Sequence, residues 1–294
     1  MTRSGVVALA GRPNVGKSTL LNRLVGEKVA IVSERPQTTR RAIRGIVTVP
    51  DWQMVLVDLP GVQRPRDPMT GRMQSRMARE LRDSDAALFV LNGQQRTGPG
   101  DRYIARAVAA AGVPALIAVN KADLLDRARM AAALTEAEAL GLEEAEIYPG
   151  SARTGAGFKP LLEALVAMIP PGPFLYPAEE RTDLAPSVRV AELVREQVLR
   201  RTRDELPHAV EVEVDETEER PDGLLVIRAS IWAERESHKR ILIGAGGDMI
   251  RQTGTAARRE IERVVERRVH LELTVRVRKG WRGDDAMLDR LGIE

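Results

Sequence analysis

The segment Gly11-Arg12-Pro13-Asn14-Val15-Gly16-Lys17-Ser18 constrains this chain more than any other. It matches G-x-x-x-x-G-K-[S/T], follows a short apolar run at residues 6–10 and opens a helical pattern. Such an order demands a strand, a glycine-rich turn and a helix N-terminus in succession. The glycines let backbone N–H groups curl around phosphate oxygens at the positive end of the helix dipole. Lys17 is expected to bring a point charge to the β- and γ-phosphates, and Ser18 a hydroxyl to magnesium, with Thr19 in the same turn. A chance glycine turn would not come with both flanking elements.

Strand-like runs at residues 43–49, 54–57, 86–91 and 115–119 alternate with amphipathic stretches at 69–82, 101–111, 126–140 and 159–168. That alternation predicts an α/β domain: a mostly parallel sheet, helices on both faces, ligands at the carboxyl ends of the strands. Pro170, Pro171, Pro173 and Pro177 crowd behind the last of these helices, where proline cannot continue a helix. Beyond them the pattern changes to a helix (188–203), two strands (209–217 and 224–234), a glycine cluster, a helical region and a last strand (269–277). The 294 residues are therefore read as two domains, 1–172 and 186–294, joined by a stiff linker at 173–185.

Three further motifs fall at strand ends. Asp58-Leu59-Pro60-Gly61 closes the run 54–57. A carboxylate there can hold the water shell of magnesium, and the Gly61 N–H can meet a γ-phosphate, with Leu59, Pro60 and Val62 lining the same loop. Alone, such a turn is ordinary loop chemistry. Asn120-Lys121-Ala122-Asp123 follows the run 115–119. Guanine offers N–H donors at N1 and N2, which match the two oxygens of Asp123; adenine has an acceptor at N1 and would be repelled. The Lys121 stem can lie along the base, and Asn120 can tie this loop to the phosphate loop. Ser151-Ala152-Arg153 ends another strand-like segment, where the Ala152 N–H is expected at guanine O6.

With Pro36-Gln37-Thr38-Thr39-Arg40, these segments resemble the five nucleotide motifs of the translation-factor-related GTPases, specifically the Era type. The resemblance spans nearly the whole chain. It implies a P-loop GTPase of slow intrinsic rate, with residues 36–40 as the first switch and Thr39, in preference to Thr38, as a magnesium ligand beside Ser18. The residues expected at the transferred phosphoryl group are then Asn14, Lys17, Thr39, Asp58 and Gly61. Ras-like enzymes orient the attacking water with a glutamine after that glycine. Here Val62 stands there, and Gln63 lies one place later, where a one-residue shift reverses its direction. Related GTPases with an asparagine in the phosphate loop use a potassium ion, which makes Asn14 a candidate potassium ligand.

Gly244-Ala245-Gly246-Gly247 has G-x-x-G spacing between the apolar run 241–243 and a helical stretch. Two glycines three apart let a backbone turn approach a sugar–phosphate chain, and flanking apolar residues such as Ile243 and Ile250 can line a groove for unstacked bases. By itself the pattern is a tight helix-entry turn. The order helix–strand–strand–helix–helix–strand, however, resembles the α+β type II KH domain of the Era family. The RNA-binding set is expected to be Lys239, Arg240, Ile243, Gly244, Ala245, Gly246, Gly247, Ile250 and Arg251. That family's loop carries a lysine where this chain has Gly246. The resemblance implies single-stranded RNA near the 3′ end of small-subunit ribosomal RNA, and the 30S subunit, as partners. It also suggests a cytoplasmic monomer with peripheral contact at the inner face of the membrane, although no amphipathic anchor is visible.

Composition removes other classes. The chain has no cysteine, which excludes disulfides, thiolate zinc sites and thiol catalysis. Its most apolar stretch, 107–119, is broken by Gly112 and Pro114 and falls short of the ~20 residues a membrane span needs. Aromatics are 3%, too few for an RNA module built on exposed stacking rings. His208, His238 and His270 do not cluster and read as packing or surface residues. Net charge is +3, yet nine acidic residues and one basic one lie within 204–222, and twelve basic and five acidic within 239–282. The basic segment suits a polyanion partner or a solvated helix face. Arg200, Arg201 and Arg203 are read as a solvated face or a second RNA contact. One phosphate-loop motif argues against a tandem GTPase, and the missing cysteine against a tRNA-modifying relative. The alternative to a GTP-controlled switch is an RNA scaffold whose slow GTPase only times release.

Overall fold

The computed structural model describes residues 2–35, 37–61, 67–142 and 144–293, which form two compact units, one built on the chain up to Asp183 and one on Leu184–Gly292. The first contains β1 (Arg3–Ala10), α1 (Lys17–Val25), β2 (Ile43–Val49), β3 (Trp52–Asp58), α2 (Pro68–Arg82), β4 (Ala86–Asn92), α3 (Pro99–Ala111), β5 (Ala115–Asn120), α4 (Arg127–Glu138), β6 (Ile147–Pro149) and α5 (Phe158–Met168). The strands are ordered β2-β3-β1-β4-β5-β6, with β2 antiparallel to β3 and the other neighbours parallel. Both faces are covered, so the central strands carry continuous apolar runs at 6–10, 54–57, 86–91 and 115–119. Along β1, Val7 and Leu9 enter the core shared with Leu20 and Leu21 of α1 and Leu161 and Leu165 of α5. Ala8 and Ala10 enter the opposite core, with Met77 of α2, Ile104 and Val108 of α3 and Ala137 of α4. Because β1 lies between β3 and β4, the strand order reverses there, and a crevice opens at its carboxyl end.

The proline-rich segment, read from sequence as a linker, is fastened to the first unit over most of its length. Gln53, wholly buried on β3, accepts from Leu175 N (2.7 Å) and Tyr176 N (2.9 Å) and donates to Tyr176 O (2.8 Å). Farther on, Ile46 N donates to Arg181 O (2.8 Å), and Thr182 Oγ1 to Arg44 O (2.7 Å). Prolines hold the chain extended, and an extended chain satisfies the open edge of β2.

The second unit contains α6 (Pro186–Arg201), β7 (Val210–Glu219), β8 (Leu225–Ala233), α7 (Glu236–Ile243), α8 (Asp248–Val265), β9 (Val269–Val277) and α9 (Asp285–Arg290). Its sheet is ordered β7-β8-β9, antiparallel then parallel, with α6 and α8 packed on it. Trp281 is completely buried and donates from Nε1 to Ala209 O, which makes it a packing anchor.

Folding brings the segregated charges of the sequence together. Glu216 pairs with Arg228 (2.5 Å), Glu219 with Arg267 (2.9 Å), Asp222 with Arg268 (3.6 Å) and Glu213 with Arg290 (2.6 Å). Within the basic segment 239–282, Arg267 and Arg268 are thus drawn to the acidic stretch 204–222. On α6, Arg200 pairs with Glu196 (3.2 Å), and Arg201 donates to Gln197 O (3.0 Å). Among the described residues, no helix is long and apolar enough to cross a membrane.

Candidate nucleotide site and nucleic-acid interface

The phosphate loop joins β1 to α1, and its backbone requires its residue types. Asn14 and Gly16 take left-handed φ values of 63° and 102°. A Cβ on Gly16 would fall 2.2 Å from Asn120 Nδ2, so the glycine also permits a close approach. Lys17 is buried, and its Nζ donates to Gly11 O (3.0 Å) and Arg12 O (3.1 Å), closing the loop over the ammonium. The first N–H groups of α1 have no side-chain cap and stand at the positive end of the helix. Thr19 lies half-buried in that turn. Arg12 contributes backbone to the loop, whereas its guanidinium turns away to α3. There Nε donates to the wholly buried Asp101 (2.7 Å), whose other oxygen accepts from Gly98 N (2.8 Å).

Ser18, Thr39 and Asp58 converge from three segments. Ser18 Oγ donates to Asp58 Oδ2 (2.5 Å), Thr39 Oγ1 donates to the same oxygen (3.1 Å), and the two hydroxyls are 3.1 Å apart. Asp58 Oδ1 is buried with no hydrogen-bond partner among the described residues. Three hard oxygens around an unsatisfied carboxylate oxygen suit a hard divalent cation. Burial lowers the Lys17 pKa, opposed by Asp58; burial raises that of Asp58, opposed by Lys17, Ser18 and Thr39. The pair therefore favours ligands that restore both charges, an anion at Lys17 and a cation at Asp58. Gly61 abuts the phosphate loop: a Cβ would lie 2.8 Å from Pro13 N. Leu59 and Pro60 are buried between them. Pro36, Val62 and Gln63 lie outside the described residues.

Asn120, buried at the end of β5, is the staple of the base-binding side. Its Nδ2 donates to Val15 O (2.7 Å) and its Oδ1 accepts from Ala152 N (2.8 Å), so three motif loops share one side chain. The Ala152 N–H, expected from sequence at guanine O6, is here bonded to Asn120. The reason is that a buried amide oxygen must find a donor. Lys121 is left-handed (φ 65°), and Ala122 N donates to Gly150 O (3.0 Å). Hydrogen bonds from Ser151 and then Arg153 hold the Asp123 carboxylate below the usual range. Arg23 of α1 in turn donates to the carbonyls of Ala152 and Arg153.

In the second unit the loop between α7 and α8 is left-handed at Gly244 (φ 76°), Gly246 (59°) and Gly247 (78°). A cleft of 430 Å³ lies beside it, lined by Gly247, Ile250, Arg251, Gly254, Thr255 and Arg258 of α8 and by His270, Leu271 and Leu273 of β9. Of the expected RNA-binding residues, Gly247, Ile250 and Arg251 line it. Lys239, Arg240, Ile243, Gly244, Ala245 and Gly246 do not; they belong to α7 and the loop. Arg251 Nη2 donates to Gly246 O (3.1 Å), which sets a mostly exposed guanidinium over the loop that lacks the lysine. Sequence reasoning did not single out Gly254, Thr255, Leu271 and Leu273, noted Arg258 only as part of the basic segment near the loop, and read His270 as packing or surface. The signal was available: 247, 250/251, 254/255 and 258 are one helical stripe, and 271 and 273 share one strand face. Among the described residues, Lys239, Arg240, Arg259 and Lys279 carry no ion pair.

The doubly covered sheet, the phosphate loop and the base-reading loops define a P-loop GTPase, joined here to a KH unit. A family model described as "50S ribosome-binding GTPase" matches residues 6–121, and a KH domain model matches 205–282. The chain is 45% identical over 294 residues to GTPase Era of Mycobacterium avium, covering 99% of this chain and 98% of the relative. To GTPase Era of Lacticaseibacillus paracasei it is 44% identical, covering 98% and 96%. Two solved structures superpose with TM-score 0.96 at 32% identity. One is Aquifex aeolicus Era, as a variant bound to GDP.AlF4- (99% of each chain). The other is Era in complex with MgGDPNP and nucleotides 1506–1542 of 16S ribosomal RNA (100% of this chain, 99% of that one). The chain belongs to the GTPase Era family.

Proposed function

We propose that this chain is a GTP-controlled switch of ribosome assembly. It takes GTP with magnesium at the loops after β1, β3, β5 and β6, hydrolyses it slowly, and holds single-stranded RNA in the α8–β9 cleft according to the nucleotide bound. The observation that supports this most is the convergence of Ser18, Thr39 and Asp58 in a chain that also carries a G-x-x-G cleft. The RNA is placed near the 3′ end of small-subunit ribosomal RNA because a full-length relative is known in complex with 16S ribosomal RNA. The matched GTPase model speaks of the 50S subunit, but it ends at residue 121 and leaves the KH unit uncovered, so the small subunit is preferred.

In this reading the backbone N–H groups of residues 14–18 and the Lys17 ammonium hold the phosphates, and Asp123 reads guanine. Magnesium, held through Ser18 and Thr39 with Asp58 behind them, neutralises charge on the phosphate oxygens. Gly61 N–H meets the γ-phosphate, and loss of that phosphate releases the segments bearing Thr39 and Gly61, the order–disorder change common to GTPase switches. Asn14 holds a potassium ion beside the phosphates. Equal turnover in sodium and potassium chloride, or a silent Asn14→Ala, would remove that element. The segment 173–185 links the two domains. A cytoplasmic monomer with peripheral membrane contact belongs to the same reading and is tested by light scattering and flotation with anionic vesicles.

The experiment is a titration with single-stranded RNA copied from the small-subunit 3′ end and a scrambled control, at fixed salt, with a non-hydrolysable GTP analogue and with GDP. Selective binding that differs between the two nucleotides is expected. Selective binding equal in both would leave an RNA scaffold; no selectivity would refute the RNA assignment.

A further inference from the structure

Gly254 lies in the interior of α8, four residues after Ile250 and four before Arg258 on the stripe that lines the cleft. Glycine is the poorest residue other than proline for a helix interior, because it loses the most backbone freedom on folding. The usual steric reasons for keeping one do not apply. Its φ is not left-handed, and a Cβ there would meet only Leu273 Cδ1, at an ordinary contact distance of 3.5 Å. Gly244 is a contrast: it is left-handed, and its Cβ would fall 2.7 Å from Met249 Cβ. The folded protein therefore has room for alanine at position 254 and would gain helix stability from it. What alanine would occupy is the cleft itself.

We infer that Gly254 sets the depth of the cleft, forming the floor on which one unstacked nucleobase of single-stranded RNA lies, with bare α8 backbone on one side and Leu273 of β9 on the other. Small residues are used where another molecule must approach a helix backbone closely. Thr255 is next to it, with its hydroxyl turned to Arg251 O (2.9 Å), so the floor stays low beyond the glycine. Arg251 and Arg258 stand one turn to either side, mostly or partly exposed, where the phosphates of a strand crossing the floor would run. The inference rests on the reading of this cleft as the RNA interface.

The test is Gly254→Ala in the full chain, read by thermal unfolding and by affinity for the 3′-end RNA, with Leu273→Val added in a second variant. The alanine protein should unfold at a higher temperature yet bind RNA about tenfold more weakly, the loss of roughly one base contact. Leu273→Val, which trims the opposite wall, should recover part of that affinity in the double variant. Affinity within about twofold of the parent chain would overturn the inference. A lower unfolding temperature would overturn it too, because packing and not the ligand would then require the glycine. If the parent chain itself does not hold the RNA, the reading of the cleft fails first; if it does and the alanine variant matches it, only the role of Gly254 fails.

Discussion

The nucleotide loops and the KH cleft are both bordered by glycines at a helix N-terminus, yet they are built in opposite ways. At the nucleotide site the polar groups are buried and bonded to one another: Lys17 to the loop carbonyls, Ser18 and Thr39 to Asp58, Asn120 to Val15 and Ala152. In the cleft the cations are exposed, and the walls are a helix stripe and a strand. A preorganised, desolvated site makes each polar contact strong and each loss costly. An open groove spreads affinity over many weak contacts and leaves it sensitive to salt.

The largest expected separation of the two regions comes from Lys17→Ala. Removing a buried charge from the phosphates should cost about 4 kcal/mol of GTP binding, while RNA affinity measured without nucleotide stays as in the parent chain. Isothermal titration with each ligand checks both halves. Asp123→Asn comes next. Its amide would donate where guanine also donates, so GTP affinity should fall roughly a hundredfold and xanthosine triphosphate should gain. No exchange would mean that Asp123 does not read the base.

Asn120→Ala tests whether the staple is structural. It leaves Val15 O and Ala152 N buried without partners, so the first unit should lose about 2 kcal/mol of stability together with nucleotide affinity. Denaturant unfolding followed separately in each unit would detect it, and an unchanged midpoint would contradict the role given to Asn120. On the cleft side, Gly246→Lys sharpens the contrast. No atom lies within 4 Å of a Cβ there, although φ is 59°. A new exposed cation should raise the salt slope of RNA binding by about one, against a backbone strain of about 1 kcal/mol. The smallest effect is a flat line. The Asp123 pKa is lowered chiefly by the Ser151 and Arg153 hydrogen bonds. A lowered acid contributes its stability above the unfolded value and loses it only as pH falls through the folded one. Affinity for guanosine, whose base does not titrate in that range, should therefore be constant from about pH 8 to about pH 5.

Legibility followed the same division. Lys121 and Gly16, in left-handed backbone, and Asp58, at a strand end, sit where their motifs imply, because each motif is a short segment that prescribes its own turn. The bond from the Ala152 N–H to Asn120 was not legible, since it depended on which distant side chain would need a donor. Nor can a count along the chain show that Arg267 and Arg268 of the basic segment lie against Glu219 and Asp222 of the acidic one.

By itself the sequence determined the alternation of strands and helices, the position of each loop motif at a strand end, and the KH order of elements. Periodicity and local backbone preference act over a few residues and are written in consecutive letters. Tertiary structure alone decided that Ser18, Thr39 and Asp58 share one point, that Gln53 pins the proline segment to the first unit, and that α8 and β9 leave a cleft with a glycine floor. Those outcomes depend on strand order, register and helix placement, which bring together side chains far apart in the chain through packing that no local pattern encodes.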